Sequence, residues 1–415
     1  MSYDTAIPLP AAHTARNGPG LTLSKAQWLV RQRFGQPPHP PGVIAACTAE
    51  MSCFRPDPQA PATDGAEHGP SLHEGLAAKR MLAEAFAARM KSLFEWDVHA
   101  DQVMVLASAA QAIHAAVLAF SDPGDGVVVQ VPSDPGLREA IAASGRRPVP
   151  LDMEPGAAGH VFQLDELEKL VTRCTRVLLL CNPQDPTGRV FSCAELQSLA
   201  AFAERHDLIV VSDETLCDLV YPGQRHLPFA ALSAAAAART VTLHSAAKGF
   251  DMPGLRCAVA CFGTKALLRR FHACAPARVT GGVNELGIGA TLAAWTTGQA
   301  WLDALRAHLM AMRTHVADTL RRELPALRFH EPQATPLAWL DCTGLALEGS
   351  AAEFFLQRAR VAFGPGEAFH PRAQKFVRMN FAVPKPTLDE MLDRMITAVD
   401  DHNYLRRLKT GILAT

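Results

Sequence analysis

One lysine in the sequence is surrounded by residue types suited to carbonyl chemistry. Lys248 lies within residues 242–256, where a short apolar run gives way to small residues around the lysine. A lysine amine attacks an aldehyde only when it is deprotonated, which requires a desolvated or electropositive site. Ser245 and Arg256 flank it and could hold one phosphate, since a hydroxyl donor would stand beside a rigid guanidinium fork. Ser-x-x-Lys is weak evidence by itself, because most lysines are solvated surface charges. The stretch therefore nominates Lys248 as a covalent aldehyde-binding residue.

Three other segments place polar side chains at the ends of apolar runs. Residues 178–188 are predicted to be a buried strand that runs into a Pro/Gly turn, and residues 208–214 a buried strand that ends in a carboxylate. Residues 376–382 alternate like an edge strand. The side chains that these segments contribute are Asn182, Asp213 and Arg378. Taken alone, Asn182 could be a turn residue before a proline, and Arg378 could belong to a surface salt bridge.

The order of the elements predicts an α/β protein. Short apolar runs at 103–107, 127–131, 176–181, 208–212, 240–243 and 257–262 alternate with helical patterns, which is typical of a mostly parallel sheet flanked by helices. A long helical stretch after Asn284 leads to a smaller α+β domain. We expect an N-terminal arm over residues 1–70 that is part of the small domain, a large domain over 71–305 and a C-terminal small domain over 306–415.

Composition restricts the class of partner. The chain has 415 residues, 48% hydrophobic and 20% charged, with a formal net charge of -1. No basic block is present, so nucleic acid and membranes are poor partner predictions and a small-molecule substrate is favoured. Ten cysteines show no C-x-x-C and no metal-ligand spacing, so we expect no metal site and buried thiols in a reducing compartment. The start of the chain lacks the pattern of a signal peptide, and we expect a cytoplasmic protein.

Together the four segments resemble the signature set of fold-type I pyridoxal-phosphate enzymes, the aspartate aminotransferase superfamily. The resemblance implies pyridoxal 5′-phosphate as cofactor, bound covalently to Lys248, which also moves the α-proton of the substrate. It implies that Asp213 keeps the cofactor's ring nitrogen protonated and that Asn182 donates to the ring oxygen. Arg378 would bind the substrate carboxylate as a bidentate fork. The phosphate would bind at a helix N-terminus formed by Ser108, Ala109 and Ala110, with Ser245 and Arg256. Without this context, Ser108 to Ala110 could equally be an ordinary helix start.

Within the superfamily the chain resembles the cystathionine β-lyase branch of carbon-sulfur lyases, the MalY/PatB type. The Asp-Glu-Thr-Leu-Cys-Asp-Leu-Val element that begins at Asp213, and His226-x-Pro-Phe229, carry this resemblance. The similarity covers residues 49–394. It implies a homodimer with active sites at the subunit interface, and β-elimination from cysteine conjugates or cystathionine-like amino acids, with a specialised biosynthetic role consistent with the altered pocket.

The chain departs from that branch at several positions. Asp134 stands where the branch has a tyrosine stacked on the cofactor, Leu216 where it has a tyrosine or histidine, and Ala247 where it has a hydroxyl residue. We interpret Asp134 as a substrate-binding residue or as part of a rerouted loop, in preference to a cofactor role. Two other functions remain open. One is a pyridoxal-phosphate-dependent aminotransferase, and the other is a cofactor-binding protein with altered or lost turnover.

Overall fold

The structure is a computed structural model that describes residues 42–47, 51, 72–156, 159–276 and 280–412. Two β-sheets organise it, one of eight strands and one of four. Most of the predicted arm over residues 1–70 lies outside the described residues.

The eight-stranded sheet carries the candidate site. Its strand order is β2-β9-β8-β7-β6-β3-β4-β5. Strands β8, β7, β6, β3 and β4 are parallel to their neighbours in that run, whereas β9 and β5 are antiparallel to theirs. The strands are β2 (Val103–Leu106), β3 (Gly126–Val131), β4 (Arg147–Gly156), β5 (Gly159–Phe162), β6 (Thr175–Cys181), β7 (Ile209–Asp213), β8 (Thr240–His244) and β9 (Ala258–Phe262). The predicted mostly parallel sheet is confirmed.

Helices cover both faces of this sheet, as the burial of alternate strand residues requires. Val127 and Val129 pack into one hydrophobic cluster and Val128 into another, because successive side chains of a strand point to opposite faces. The helices of the described chain are α1 (Leu72–Phe94), α2 (Ala109–Phe120), α3 (Pro135–Ala143), α4 (Leu164–Leu170), α5 (Cys193–Arg205), α6 (Ala234–Ala238), α7 (Ala246–Gly249), α8 (Lys265–Cys274), α9 (Glu285–Thr297), α10 (Gln299–Glu323), α11 (Ala351–Phe354), α12 (Gly366–Phe369) and α13 (Lys385–Ile412).

The four-stranded sheet has the order β1-β11-β12-β10. Its strands are β1 (Ile44–Ala46), β10 (Leu337–Asp341), β11 (Val361–Pro365) and β12 (Phe376–Asn380). β12 pairs with β11 on one side and β10 on the other. The prediction of an edge strand at this position is therefore wrong. Residues 377–380 are all buried, so both faces of the strand are covered and the alternation in sequence did not mark an edge.

A helix and a hydrophobic cluster both extend across the predicted boundary between the large and small domains. Helix α10 passes through the predicted boundary between residues 305 and 306 without ending there. One hydrophobic cluster combines Val105 and Val259 of the large sheet with Val361 and Val377 of the small one. Strand β1, from the predicted arm, pairs in parallel with β11. The division of the chain into domains remains a prediction.

Three further expectations concern cysteines, metals and membranes. Cys217, Cys257, Cys261 and Cys342 are buried, but the expectation of buried thiols fails for other cysteines, which are exposed: Cys174, Cys193 and Cys274. Burial raises the pKa of the Cys257 thiol to about 11. Among the described residues, no group of His, Cys, Asp and Glu could hold a metal ion. In the same part of the chain, no helix combines the length and apolar character needed to cross a bilayer.

Candidate active site

Lys248 lies in the single turn of α7, directly after strand β8. The side chain of Ser245 caps this turn by accepting a hydrogen bond from the Ala247 N–H at 3.1 Å. Gly249 is required next to the lysine, because a Cβ there would stand 2.9 Å from the Cβ of Asp218. The turn thus packs tightly against Asp218, and the Lys248 side chain is half-buried.

Carboxylates surround the Lys248 amine. Burial lowers the pKa of Lys248, but the charges of Asp185 and Asp213 raise it by more, with a further contribution from Asp134, so the net pKa lies above its usual value. The lysine site is therefore electronegative, contrary to the electropositive alternative considered from sequence. The charges of Asp213 and Asp134 both act on Lys248, and the assignment of these residues to one site stays a prediction.

Asp213 ends strand β7 with one carboxylate oxygen fixed in place. Its Oδ1 accepts hydrogen bonds from the Thr215 N–H at 3.1 Å and from the Thr215 hydroxyl at 2.7 Å. In the parallel ladder, Asp213 is paired with Cys181 of β6 and Leu243 of β8, so it lies between the strands that lead to Asn182 and Lys248. Thr215 was not singled out from the sequence, although a hydroxyl residue two positions after an aspartate is a usual partner for its carboxylate.

The next residue, Glu214, points away from this site into a buried polar cluster. Its Oε2 contacts His226 Nε2 at 2.9 Å and His244 Nε2 at 3.3 Å, and its Oε1 accepts from the Ser212 hydroxyl at 2.8 Å and the Phe229 N–H at 2.9 Å. Burial would raise the pKa of Glu214, but the two histidines lower it to about 2. These contacts fix the strand end that presents Asp213.

Asn182 is buried directly after strand β6. Its backbone N–H donates to the Asp213 carbonyl at 3.0 Å, and its side-chain oxygen accepts from the Phe191 N–H at 3.2 Å. The side-chain amide nitrogen is the group left for a ligand, and this suits the predicted role as a donor to a ring oxygen. The sequence-based alternative, a turn residue, describes the backbone of Asn182 equally well.

The predicted phosphate ligands occupy three loops. Ser108 is the N-cap of α2, where its hydroxyl accepts from the Gln111 N–H at 3.1 Å, and the N–H groups of Ala109 and Ala110 belong to the first turn of that helix. The first N–H groups of a helix have no intrahelical acceptor and favour an anion.

The other two candidates for phosphate binding are Ser245, whose hydroxyl is already hydrogen-bonded, and Arg256, which is exposed. The Ser245 hydroxyl donates to the Cys257 carbonyl at 2.6 Å. To donate to a phosphate, it would have to leave that carbonyl. Arg256 is exposed and adopts a left-handed backbone conformation with φ of 48°. The assignment of Ser245 and Arg256 to a phosphate stays a prediction.

Arg378 is a buried residue of β12 and not part of a surface salt bridge. Its Nη1 donates to both carboxylate oxygens of Asp185, at 2.9 Å and 3.0 Å, and its Nη2 donates to the Cys47 carbonyl at 2.8 Å. The guanidinium lies 4.6 Å from the centre of the Phe369 ring, an arrangement suited to a cation-π contact. Sequence reasoning missed Asp185. The available signal was a carboxylate inside the apolar, proline-rich turn of residues 182–188.

Asp134 begins helix α3 and is exposed. Its Oδ1 accepts from the Gly136 N–H at 2.9 Å, so one oxygen serves as a helix cap. The adjacent Ser133 N–H donates to the Phe369 carbonyl at 3.2 Å, which ties this loop to the segment beside Arg378. The capping contact and the charge effect on Lys248 leave both interpretations of Asp134, substrate binding and a rerouted loop, open.

The other two residues that differ from the lyase branch are Leu216 and Ala247, and both are apolar. Leu216 is buried in the large hydrophobic cluster, and Ala247 is half-buried in the lysine turn. Neither side chain offers a hydrogen-bonding group to a ligand.

Comparisons with known proteins place this geometry in context. The family model described as aminotransferase class I and II matches residues 70–395. A putative cystathionine beta-lyase of Mycobacterium leprae is 34% identical over 382 residues, which cover 86% of this chain and 92% of that protein. The crystal structure of OvoB is 35% identical with a TM-score of 0.74, covering 80% of this chain and 84% of that one. The pyridoxal-phosphate-bound C-S lyase of Staphylococcus hominis is 25% identical with a TM-score of 0.75, covering 89% and 96%.

Proposed function

The chain belongs to the aminotransferase class I and II family, and we propose that it is a pyridoxal-phosphate-dependent carbon-sulfur β-lyase. Its substrate is a cysteine S-conjugate or a cystathionine-like amino acid. The printed names of the M. leprae and S. hominis relatives support this reaction. The observation that carries the proposal is the arrangement at the ends of three adjacent parallel strands, with Asn182 after β6, Asp213 at the end of β7 and Lys248 in the turn after β8.

The residues present fit pyridoxal 5′-phosphate. When bound, the protonated pyridine ring of this cofactor withdraws electrons from the substrate's α-carbon. Lys248 would hold the aldehyde carbon, and the free oxygen of Asp213 would accept from the ring nitrogen while Thr215 orients the other oxygen. Asn182 would donate to the ring oxygen. The N-terminus of α2, formed by Ser108, Ala109 and Ala110, would hold the phosphate together with Ser245 and Arg256.

The substrate's carboxylate binds Arg378. The Nε of this arginine is buried and makes no hydrogen bond to the described residues, so a donor remains available beside the contact with Asp185. Lys248 removes the α-proton, and the electrons left on the α-carbon expel the β-thiolate as the C–S bond breaks. The remaining three-carbon fragment takes up one water molecule and yields pyruvate and ammonia. Asp134, whose charge acts on Lys248, would recognise a polar group of the substrate side chain.

The proposal extends to the setting of the enzyme. It works in the cytoplasm as a homodimer with active sites at the subunit interface, in a specialised biosynthetic route. The chain divides into an arm over residues 1–70, a large cofactor-binding domain over 71–305 and a small domain over 306–415. Neither nucleic acid nor a membrane is a partner.

A product assay without added keto acid tests the reaction. Purified protein loaded with pyridoxal phosphate is incubated with L-cystathionine and with S-alkyl-L-cysteines, and thiol, pyruvate, ammonia and carbon dioxide are measured. We expect thiol, pyruvate and ammonia in equal amounts, and none of them from Lys248→Ala. Conversion that requires an added keto acid and releases no thiol would contradict the lyase.

An aminotransferase is the second and weaker candidate, in keeping with the description of the family model. It shares proton removal by Lys248 and differs in where the proton returns. The same assay separates it from the lyase, and also from a cofactor-binding protein without turnover, which would release no product under either condition.

A further inference from the structure

Asp185 is a buried carboxylate that the folding of its own turn does not require. The side chain is 5% exposed. The turn is held by other groups: Gln184 Nε2 donates to the Pro132 carbonyl at 2.7 Å, and Gln184 Oε1 accepts from the Thr187 N–H at 3.0 Å. The Gly188 N–H donates to the Gln184 carbonyl at 2.8 Å. A buried charge is costly unless it is paired, so the carboxylate needs an explanation beyond the turn.

The partner of Asp185 is the arginine assigned to the substrate carboxylate. Asp185 accepts two hydrogen bonds from Nη1 of Arg378, and the two side chains are only 5% and 8% exposed. The Cys47 carbonyl accepts from Arg378 Nη2 at 2.8 Å, and Arg378 Nε makes no hydrogen bond to the described residues. A ligand carboxylate would therefore share one guanidinium with a carboxylate that is already bound.

The charge of Asp185 also acts on the lysine. Among the described residues, Asp185, Asp213, Cys181 and Asp134 raise the pKa of Lys248, and Asp185 has the largest effect of these four. Asp213 is directed to the ring nitrogen in the proposed function. Asp185 thus pairs with Arg378, the residue proposed to bind the substrate's carboxylate, and its charge also acts on the amine of Lys248.

We propose that Asp185 is a specificity-determining residue that selects zwitterionic amino acids against bare 2-oxo acids. The inference rests on the proposed function. A 2-oxo acid brings a carboxylate alone, and its negative charge is repelled by Asp185 across the guanidinium. An amino acid brings an ammonium group as well, which offsets that repulsion. An elimination reaction gains from this selection because it needs no 2-oxo acid as co-substrate and must release pyruvate.

Calorimetric titration of the cofactor-loaded protein tests the selection without turnover. The probes are pyruvate and 2-methylalanine, an amino acid that has no α-proton to lose. We expect Asp185→Asn to bind pyruvate about tenfold more tightly and 2-methylalanine with an affinity changed less than about threefold. Asp185→Glu keeps the charge and should bind pyruvate as weakly as the wild type does.

A matched control changes another carboxylate outside the pair. Asp152 lies 3.8 Å from His370 and 3.9 Å from Arg372 and is half-buried. Asp152→Asn should leave both affinities unchanged. An equal gain for both probes in Asp185→Asn, or an unchanged affinity for pyruvate, would overturn the selection.

Loss of one partner from a buried ion pair is destabilising, so a second comparison removes both. The pH midpoint of the visible absorption band of the loaded protein is compared between Arg378→Gln and the double variant Asp185→Asn/Arg378→Gln. The double variant should have the lower midpoint, by about one pH unit, because the anion that favours a protonated lysine nitrogen is gone. Equal midpoints would refute the charge effect. Failure of the lyase itself would show only in the product assay.

Discussion

Asp213→Asn is the substitution that most directly tests how this site stabilises a carbanion. An asparagine at this position keeps an oxygen for the two hydrogen bonds that Thr215 now makes to Oδ1, at 3.1 Å and 2.7 Å. The strand end should therefore keep its shape. The other carboxylate oxygen becomes an NH2 group, which carries no charge and cannot accept from a ring nitrogen. We expect the turnover number to fall about a thousandfold or more, equivalent to ~4 kcal/mol of transition-state stabilisation.

The assay is pyruvate release at saturating substrate, with cofactor binding and thermal unfolding measured on the same samples. Thr215→Val is the matched control, since it removes the hydroxyl contact at 2.7 Å but leaves the carboxylate charge in place. Its turnover number should fall by much less than that of Asp213→Asn. Near-normal activity of Asp213→Asn with bound cofactor would show that the end of β7 does not contact the ring nitrogen.

Three further predictions follow from single residues. Lys248→Ala should retain no cofactor after reduction with borohydride and denaturing dialysis, whereas the wild type should retain it, because the lysine amine forms the covalent bond to the cofactor; a reducible adduct that persists in this variant would assign the bond elsewhere. Asp134→Tyr should bind the cofactor no less tightly and act more slowly on the native substrate; if it spares the native substrate and turns over cystathionine faster, Asp134 is not a substrate-binding residue. Glu214 has a folded-state pKa lowered to about 2, so its contribution to stability is present above the ordinary carboxyl pKa and is lost as the pH falls from that value towards 2. Between pH 5 and pH 2 the free energy of unfolding of the wild type should drop by roughly 3 kcal/mol more than that of Glu214→Gln, and parallel urea-denaturation profiles would contradict this.

Local sequence patterns predicted most of the large sheet. Short apolar runs such as residues 208–211, most of which belong to β7, were recognisable because a strand buried on both faces needs a continuous apolar sequence. The carboxylate of Asp213 at the end of that run and the small residues around Lys248 were visible in the same way. The structure adds that Asp213 ends β7 beside the strands that lead to Asn182 and Lys248, and its charge raises the pKa of Lys248.

Hydrophobic periodicity shows which side of a helix or strand is buried, but it does not identify the element that packs or pairs against it. The alternation of residues 376–382 suggested an edge, yet β12 pairs on both sides, because strand order depends on contacts with β10 and β11 that lie far along the chain. For the same reason the exposed Cys174, Cys193 and Cys274 were not anticipated.

The sequence by itself nominated Lys248 and the strand-end carboxylate of Asp213, because each depends on residues close together in the chain, and the resemblance of four segments to a known family implied the cofactor. Only the tertiary structure decided which anion faces Arg378. Asp185, in the turn after β6, and Arg378, in β12, are 193 positions apart, so no local pattern links them. Burial makes that pair specific, since a desolvated guanidinium and a desolvated carboxylate have few other partners available.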